Sequence, residues 1–310
     1  MTDQYPRILY ITGWMRSGST LVGNVLNELP GVLHAGELHY LWENGLLASG
    51  TNSVCGCGDH LTGCPLWSAV LDSLPGGVTA ADAHRMVMRQ HALLRTRHTR
   101  TRLAEALGRT APAPGVADVL DRTADIYHAL RSRGGERLIV DGSKFPAEAA
   151  ALCGRADLDV RILHMVRDPR ATALSYQRAK DYIPALSPAR SSAYWTAFNL
   201  ASEEVAAAVR GRCLRLRHED LCREPRKVML QVLRFLDLGD EPPVDADGTV
   251  HLAGNHTVTG NPDRLRTGRT VIRPDERWRT GLPAAQLTAA TAFAAPLLHR
   301  YGYPPTPRGR

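Results

Sequence analysis

A β-branched apolar run, Arg7-Ile8-Leu9-Tyr10-Ile11-Thr12, passes directly into Gly13-Trp14-Met15-Arg16-Ser17-Gly18-Ser19-Thr20. Apolar residues then recur at helical spacing at Leu21, Val22, Val25, Leu26 and Leu29. A strand, a glycine-bounded loop and a helix in immediate succession point to a βα unit of a parallel sheet. The first N–H groups of such a helix have no intrahelical acceptor, and the helix dipole adds positive potential at the same end. The loop is therefore a site for a phosphate or sulfate group.

The spacing is close to the G-x-x-x-x-G-K-[ST] phosphate loop, but Ser19 stands where that motif has its lysine. The missing lysine is the residue that reaches the β- and γ-phosphates, so the reading moves away from ATP and GTP hydrolysis. Arg16 supplies a cation from inside the loop instead. Four further runs have the continuous apolar character of buried parallel strands: Val32 to Glu37, Arg137 to Asp141, Val160 to Val166 and Cys213 to Leu216. Three of them lead into helical patterns. The expected fold is a P-loop-like three-layer α/β domain, with a mostly parallel sheet flanked by helices and interrupted by helical insertions.

The chain of 310 residues, 44% hydrophobic and 22% charged, is long enough for one such domain with insertions and ordinary for a globular protein. No apolar run reaches the ~18 residues of a membrane span. The N-terminal stretch lacks the features of a signal peptide, so a cytoplasmic location is expected. A net charge of +7 suggests an anionic partner. Lys144, Lys180 and Lys227 are the only lysines; the arginine excess fits a GC-rich genome, and it makes each lysine worth notice. No zinc-finger, RNP or helix-turn-helix signature supports nucleic-acid binding. One insertion is expected at about 40–135, with an Arg/His-rich helix from Ala81 to Leu107. A second is expected at 181–209, beginning near Pro184 and Pro188. Beyond Asp240 the chain reads as polar loop until a last helix near Ala284 to Arg300.

A second anion motif lies at 161–176, RILHMVRDPRATALSY. Its strand ends at Val166, Arg167 and Asp168 follow, Pro169 opens a helix, and Ser175 sits two turns along it. Loops at the C-terminal ends of parallel strands converge on the ligand crevice of an open α/β sheet, so the two motifs can grip two phosphates of one nucleotide.

At this point the residues resemble the PAPS-dependent sulfotransferases, which move a sulfuryl group from 3′-phosphoadenosine 5′-phosphosulfate to a hydroxyl or amine. That family carries an R-S-G-[ST]-[ST] loop that cradles the 5′-phosphosulfate, matched here by Arg16, Ser17, Gly18, Ser19 and Thr20. Its 3′-phosphate motif, an Arg followed by a Ser eight residues later, is matched by Arg167 and Ser175. A weaker third element, a basic R-x-G loop with a following Trp that covers the nucleotide, is similar to Arg264, Arg266 and Gly268 with Trp278. The resemblance implies one sulfotransferase domain over residues 1–310, with residues 254–280 as the nucleotide-covering loop. The insertions would then form an acceptor lid. It also implies PAPS as co-substrate, adenosine 3′,5′-bisphosphate as product, no metal requirement, and a small-molecule, natural-product or glycan acceptor.

Glu37, at the end of the second strand beside the loop, faces the expected site of a dianion. Its charged form would be disfavoured there, which suits a general base. Its position resembles that of the catalytic Glu of tyrosylprotein-type and several bacterial sulfotransferases. The small-molecule enzymes instead use a histidine in a K-T-H-L-P run; here Asp141-Gly142-Ser143-Lys144-Phe145-Pro146 puts Lys144 at the histidine's spacing. The expected catalytic set is thus Glu37 as base, with Arg16 and Lys144 as cations for the leaving phosphate. His34 reads as structural, and His39 as a candidate for the acceptor pocket. Tyr40, Trp42, Tyr182, Tyr194 and Trp195 are candidate pocket aromatics.

Leu138 to Asp141 also resembles a Walker B strand. That keeps a P-loop kinase as a rival, and a nucleotide-binding module without catalysis as another. Cys55, Cys57 and Cys64, with His60, form a compact cluster open to three readings: a zinc site, a disulfide, or packed thiols. Cys153, Cys213 and Cys222 read as buried structural thiols. The oligomeric state is open.

Overall fold

The computed structural model describes residues 4–49, 52–134, 136–177 and 184–306. In chain order its strands and α-helices are β1 (Arg7–Thr12), α1 (Ser19–Leu26), β2 (Val32–Gly36), α2 (Pro65–Asp72), α3 (Ala80–Leu93), α4 (Thr99–Ala106) and α5 (Val116–Gly134). There follow β3 (Leu138–Lys144), α6 (Pro146–Cys153), β4 (Asp159–Val166), α7 (Pro169–Gln177), α8 (Pro188–Ala208), β5 (Cys213–Arg217), α9 (His218–Arg223) and α10 (Pro225–Phe235). The chain closes with β6 (Thr249–Leu252), β7 (Gly268–Val271), α11 (Trp278–Gly281) and α12 (Ala284–Leu298).

Among the described residues the main sheet has five strands in the order β2-β3-β1-β4-β5, and every pair is parallel. β1 lies at its centre, with Ile8 opposite Ile139 of β3 on one side and Val160 of β4 on the other. Alternate side chains of this strand feed two different cores, as strand geometry requires. Ile8 and Tyr10 join Trp67, Val70, Leu94, Val119, Tyr127, Leu130 and Leu152 on one face. Leu9 and Ile11 join Val22, Val25, Val228, Met229, Val232 and Leu233 on the other. Burial on both faces is why β1 to β4 read as near-continuous apolar runs, while the edge strand β5 alternates leucine with Arg215 and Arg217.

The segment 40–135 therefore serves mostly as the second helical layer. Only Tyr40, Glu43, Asn44 and Asn52 of its described residues reach the cleft discussed below, so its expected role as an acceptor lid falls to a small part of it. The single Arg/His-rich helix expected from Ala81 to Leu107 is broken. α3 ends at Leu93, a 3₁₀ turn covers Thr96–His98, and α4 starts at Thr99. Arg102 of that stretch is buried and bonded to Glu105 at 2.7 Å, while Arg95 lies over the Phe145 ring at 5.2 Å. The second insertion is α8, which packs against α7 and α12; its expected start at 181–183, Tyr182 included, lies outside the described residues.

The tail holds an antiparallel ribbon that the sequence does not announce. Thr249 pairs with Val271 and Leu252 with Gly268, joining β6 to β7. The link between them comes back to the main sheet. Val258 bridges Gly36, its N–H donating to the Ala35 carbonyl at 2.8 Å and its carbonyl accepting from the Glu37 N–H at 3.0 Å. Gly36 has φ +90, and a Cβ there would stand 2.1 Å from the Val258 oxygen, so only glycine lets the link approach.

Buried polar groups are tied in chains. The Tyr10 hydroxyl donates to Glu148 at 2.9 Å, and the same oxygen meets His39 Nδ1 at 2.9 Å. The Tyr127 hydroxyl donates to Asp141 at 2.6 Å, and the Ser143 N–H donates to its other oxygen at 2.9 Å. Burial first, then the charge on Glu148, lifts the Asp141 carboxyl to about 6. Burial also pushes His34 and His218 down to about 3 and His164 to about 4.

Those histidines fold neutral and take up protons when unfolded, so they stabilise the fold above the ordinary histidine range and cease to do so as pH falls towards their folded values. Asp141 and Glu219, both raised by burial, act with the opposite sign. With three groups against two, the expected outcome is a net uptake of protons on unfolding between pH 6.5 and 5. Urea denaturation at half-unit pH steps measures this as a midpoint that falls with acidification. A flat or rising midpoint contradicts the assignment.

Candidate active site

The first loop forms because β1 stops against its neighbour. Gly13 has φ +122, and a Cβ on it would lie 2.2 Å from the Met165 carbonyl of β4. The chain then turns through Arg16, at φ +67, and Gly18, at φ +94, into α1. Val22 makes the first return bond, its N–H donating to the Gly18 carbonyl at 3.2 Å. The N–H groups ahead of it form the open N-terminus of the helix. Ser17 is buried, and its hydroxyl has no hydrogen-bond partner. A buried polar atom without a partner at the start of a helix fits a loop built for an anion.

The two anion motifs meet directly. Arg16 Nε donates to the Ser175 hydroxyl on α7 at 2.9 Å, and Arg167 Nη1 donates to the Arg16 carbonyl at 3.1 Å. Arg167 also bonds Asp275 at 3.3 Å, and its own carbonyl accepts from Trp195 Nε1 at 2.9 Å. The His218 ring packs beneath the loop, 2.4 Å from where a Gly18 Cβ would stand. Burial keeps that ring neutral, and Arg167 reinforces the effect.

Glu37 and Lys144 close the other side. β3 ends with Lys144 at φ +77, which turns the ammonium to Glu37 Oε1 and, at 2.8 Å, to the Gly142 carbonyl. Their side chains are 16% and 5% exposed. Glu37 is held by its own backbone: its N–H donates to Val258, its carbonyl accepts from the Thr259 hydroxyl at 3.2 Å, and Gly260 packs on its carboxylate.

These groups line one cleft of about 1130 Å³, larger than the ~300–1,000 Å³ usual for a single small ligand. Arg16, Gly18, Ser19, Thr20, Glu37, Lys144, Arg167 and Arg266 all reach it. Ser17 and Ser175 stand behind them, at the loop and on Arg16. Two residues of the third motif do not reach the large cleft. Arg264 is buried, donating to the Thr257 carbonyl at 2.9 Å, the Val54 carbonyl at 2.7 Å and Asn52 at 2.9 Å, so it braces the link rather than offering its charge to a ligand. Gly268 starts β7 on the surface. Trp278 is also displaced from its expected role. It is buried with Ala171 and Leu282, with Arg170 4.5 Å from its ring centre.

The sequence did not single out Arg269, Arg273 and Arg277, which rim the cleft with Arg266. Arg269 lies on β7, and Arg273 and Arg277 follow it in the chain. Of the expected pocket aromatics Tyr40 lines the cleft; Trp14 and Tyr176, which the sequence did not single out, stack with centroids 5.4 Å apart and line it beside Met15 and Leu186. Trp42 and Trp195 are core residues, and Tyr194 packs on Trp14 from outside the cleft lining. His39 is buried, bonded to Glu148 and stacked on Phe145 at 4.1 Å, so it does not line the acceptor pocket. His34 is structural as expected, its Nδ1 3.0 Å from Asn24 Oδ1. Cys153 is buried and Cys213 partly so, whereas Cys222, buried as expected, also borders the cleft. Asp141, the Walker B candidate, does not line the cleft; both its oxygens are engaged by Tyr127 and Ser143. Among the described residues no helix is long and apolar enough to cross a membrane.

A parallel sheet whose strand ends gather a glycine-bounded loop, a second basic motif and a carboxylate is a P-loop-like α/β fold. Residues 6–242 match the sulfotransferase family, and the chain belongs to that family. Its structure is similar to the sulfotransferase domain of the Synechococcus PCC 7002 olefin synthase, with 23% identity, a TM-score of 0.58, and coverage of 99% of this chain and 98% of that one. It is also similar to the sulfotransferase domain of the curacin biosynthetic pathway, with 17% identity, a TM-score of 0.52, and coverage of 97% and 99%. None of the curated proteins is similar to the chain by sequence.

Removing one member of a buried ion pair strands the other charge, at a cost of about 3 kcal/mol. Lys144→Met is expected to lower stability by about that amount. Glu37→Gln/Lys144→Met should recover part of the loss, read as a positive coupling in a denaturation double-mutant cycle. Strict additivity would place the two groups out of contact.

Proposed function

We propose that the chain transfers a sulfuryl group from 3′-phosphoadenosine 5′-phosphosulfate to a hydroxyl of a small-molecule acceptor, a natural product or glycan included. The observation that carries this reading is the contact between the two motifs. Arg16, bonded to Ser175 and supporting Arg167, makes one continuous anion site from segments about 150 residues apart. A nucleotide phosphorylated at both 5′ and 3′ positions needs two such anchors, whereas ATP needs none at the ribose 3′ position. The buried, unpartnered Ser17 hydroxyl and the open start of α1 suit the 5′-phosphosulfate; Arg167 and Ser175 suit the 3′-phosphate. The exposed arginines 266, 269, 273 and 277 on residues 254–280 support the reading of that segment as the nucleotide cover.

In this reading Glu37 takes the acceptor's hydroxyl proton as the acceptor oxygen bonds to sulfur. The bond from sulfur to the bridging oxygen of the 5′-phosphate breaks, and charge builds on the leaving phosphate. Arg16, Lys144 and the loop N–H groups are fixed near it, which favours such a loose transition state. The pairing with Lys144 orients the Glu37 carboxylate in the free protein. The wall of Trp14, Tyr40 and Tyr176 suits an acceptor with an apolar or ring face. The two similar structures come from biosynthetic proteins, which supports a natural-product acceptor.

Isothermal titration with adenosine 3′,5′-bisphosphate beside ATP–Mg²⁺ tests the donor. Micromolar binding of the bisphosphate is expected, weakened at least about tenfold in Arg167→Ala, since charge-assisted bonds are worth roughly 1.5–3 kcal/mol. Tight ATP–Mg²⁺ binding, indifferent to the 3′-phosphate, would instead put a kinase first. Glu37→Gln should keep nucleotide affinity and lose about 10²–10⁴ in turnover. Full turnover in that variant removes the base assignment.

A further inference from the structure

Far from the sheet's strand ends in sequence, the cysteine cluster gains a partner. Cys55, Cys57 and Cys64 converge on His256, and one ligand atom from each lies within 4.8 Å of all the others. His60, the histidine nearest in sequence, is exposed and outside this group. His256 Nδ1 lies 3.2 Å from Cys64 Sγ and 3.7 Å from Cys55 Sγ. Tetrahedral ligands ~2.3 Å from a zinc ion stand about 3.8 Å apart, so the four atoms already bracket the edges of such a tetrahedron.

The backbone is shaped for this convergence. Cys55 and Gly58 close a tight turn, with the Gly58 N–H donating to the Cys55 carbonyl at 2.9 Å and Gly58 at φ +97. Gly56 lies against Asn255, where a Cβ would stand 2.0 Å from its side-chain oxygen. Cys64 stands at the N-cap position of α2, which fixes its backbone at the start of that helix. Trp67 Nε1 donates to the His256 carbonyl at 2.6 Å, fixing the residue that carries the imidazole. Cys55 and Cys64 are fully buried, Cys57 is exposed, and His256 is half-buried.

We propose that Cys55, Cys57, Cys64 and His256 bind one zinc ion in a closed Cys₃His structural site. A disulfide would use two of the sulfurs and leave the third and the imidazole crowded beside it with no role. Four protein ligands, with no position for water or substrate, mark a structural rather than a catalytic metal. The two strings of ligands belong to the loop before α2 and to the β6–β7 link. A metal there clamps the link whose Val258 and Thr259 hold the backbone of Glu37. Zinc thus acts as a positioning device for that residue, at a distance from it. The metal site stands on its own residues; its bearing on the base rests on the sulfotransferase reading above.

Elemental analysis of the chain, purified without chelator under reducing conditions, is expected to give about one zinc per chain. Titration with a mercurial should release that zinc after three thiols, monitored with a colorimetric chelator. Cobalt(II) exchanged into the wild-type protein should show the intense visible bands of a tetrahedral thiolate site. His60→Ala should keep the metal, while His256→Ala and Cys57→Ser lower its affinity at least about tenfold. The exposed position of Cys57 protects the test from a folding failure. Less than a tenth of a zinc per chain, with none taken up on addition of Zn²⁺ to the reduced protein, overturns the proposal. So does a disulfide among the three cysteines found by non-reducing peptide mapping, or iron in place of zinc. None of these readouts depends on nucleotide binding, so they stand whatever the donor titration shows.

Discussion

The architecture depends on how completely β1 is enclosed. Strands lie on both sides of it and helical layers on both faces, so its backbone has nowhere to continue except out of the carboxyl edge of the sheet. Gly13 marks where it leaves, pressed on the Met165 carbonyl. Everything chemical then follows from parallel strands ending at one edge. Glu37 stands just past β2, Lys144 ends β3, Arg16 follows β1 and Arg167 follows β4. Four strands, neighbours in the sheet, each deliver one charged residue to one cleft. Glu37 and Arg167 need only a turn, whereas Arg16 and Lys144 reach the cleft through their own positive φ.

That convergence gathers more positive than negative charge. Arg16, Lys144, Arg167 and the four rim arginines face Glu37, Glu43, Asp263, Asp275 and Glu276 around the cleft. The carboxylates have specific partners there. Glu37 balances Lys144, and Asp275 bonds both Arg167 and Arg277. Asp275 lies well below the usual carboxylate range, first because of its bond to Arg277. Such pairing keeps a cationic pocket ordered, and an anion entering it would compete with these carboxylates for the same cations. The neutral His218 fits the same logic, since a charged imidazole under Gly18 would face Arg167 directly.

Much of this was legible in residue order. The strands of the main sheet were, because burial on both faces demands long apolar runs whose ends are marked by Gly, Asp or Pro. The ribbon was not. TVHL and GRTV are four residues each, with a histidine and an arginine on the exposed side, and only their pairing makes them strands. The anion motifs were legible because their chemistry depends on local spacing along a loop and a helix. The basic tail was harder. Arg264 and Arg266 are two residues apart, yet the 3₁₀ turn at Pro262–Leu265 sends the first inward and leaves the second at the cleft. In a chain this rich in arginine, no composition signal separates the two. His256 illustrates a further limit, for a ligand nearly two hundred residues from its partners leaves no trace in spacing.

The return of the β6–β7 link to Gly36 has a consequence for the order of synthesis. Both anion motifs are complete once residue 175 has been made, and the last strand of the main sheet ends at Arg217. The backbone anchor of Glu37, in contrast, is the carbonyl of Val258. Chains emerge N-terminus first and fold in that order. A nascent chain therefore completes both motifs and the main sheet before it acquires the peptide that holds the Glu37 backbone. Residues 6–242, which match the family, contain both motifs and Glu37; the segment that holds the Glu37 backbone comes afterwards. The late segment also returns to the motifs themselves, since Arg167 bonds Asp275 and Asn24 donates to the Asp263 carbonyl, so the stretch made last fastens what was made first.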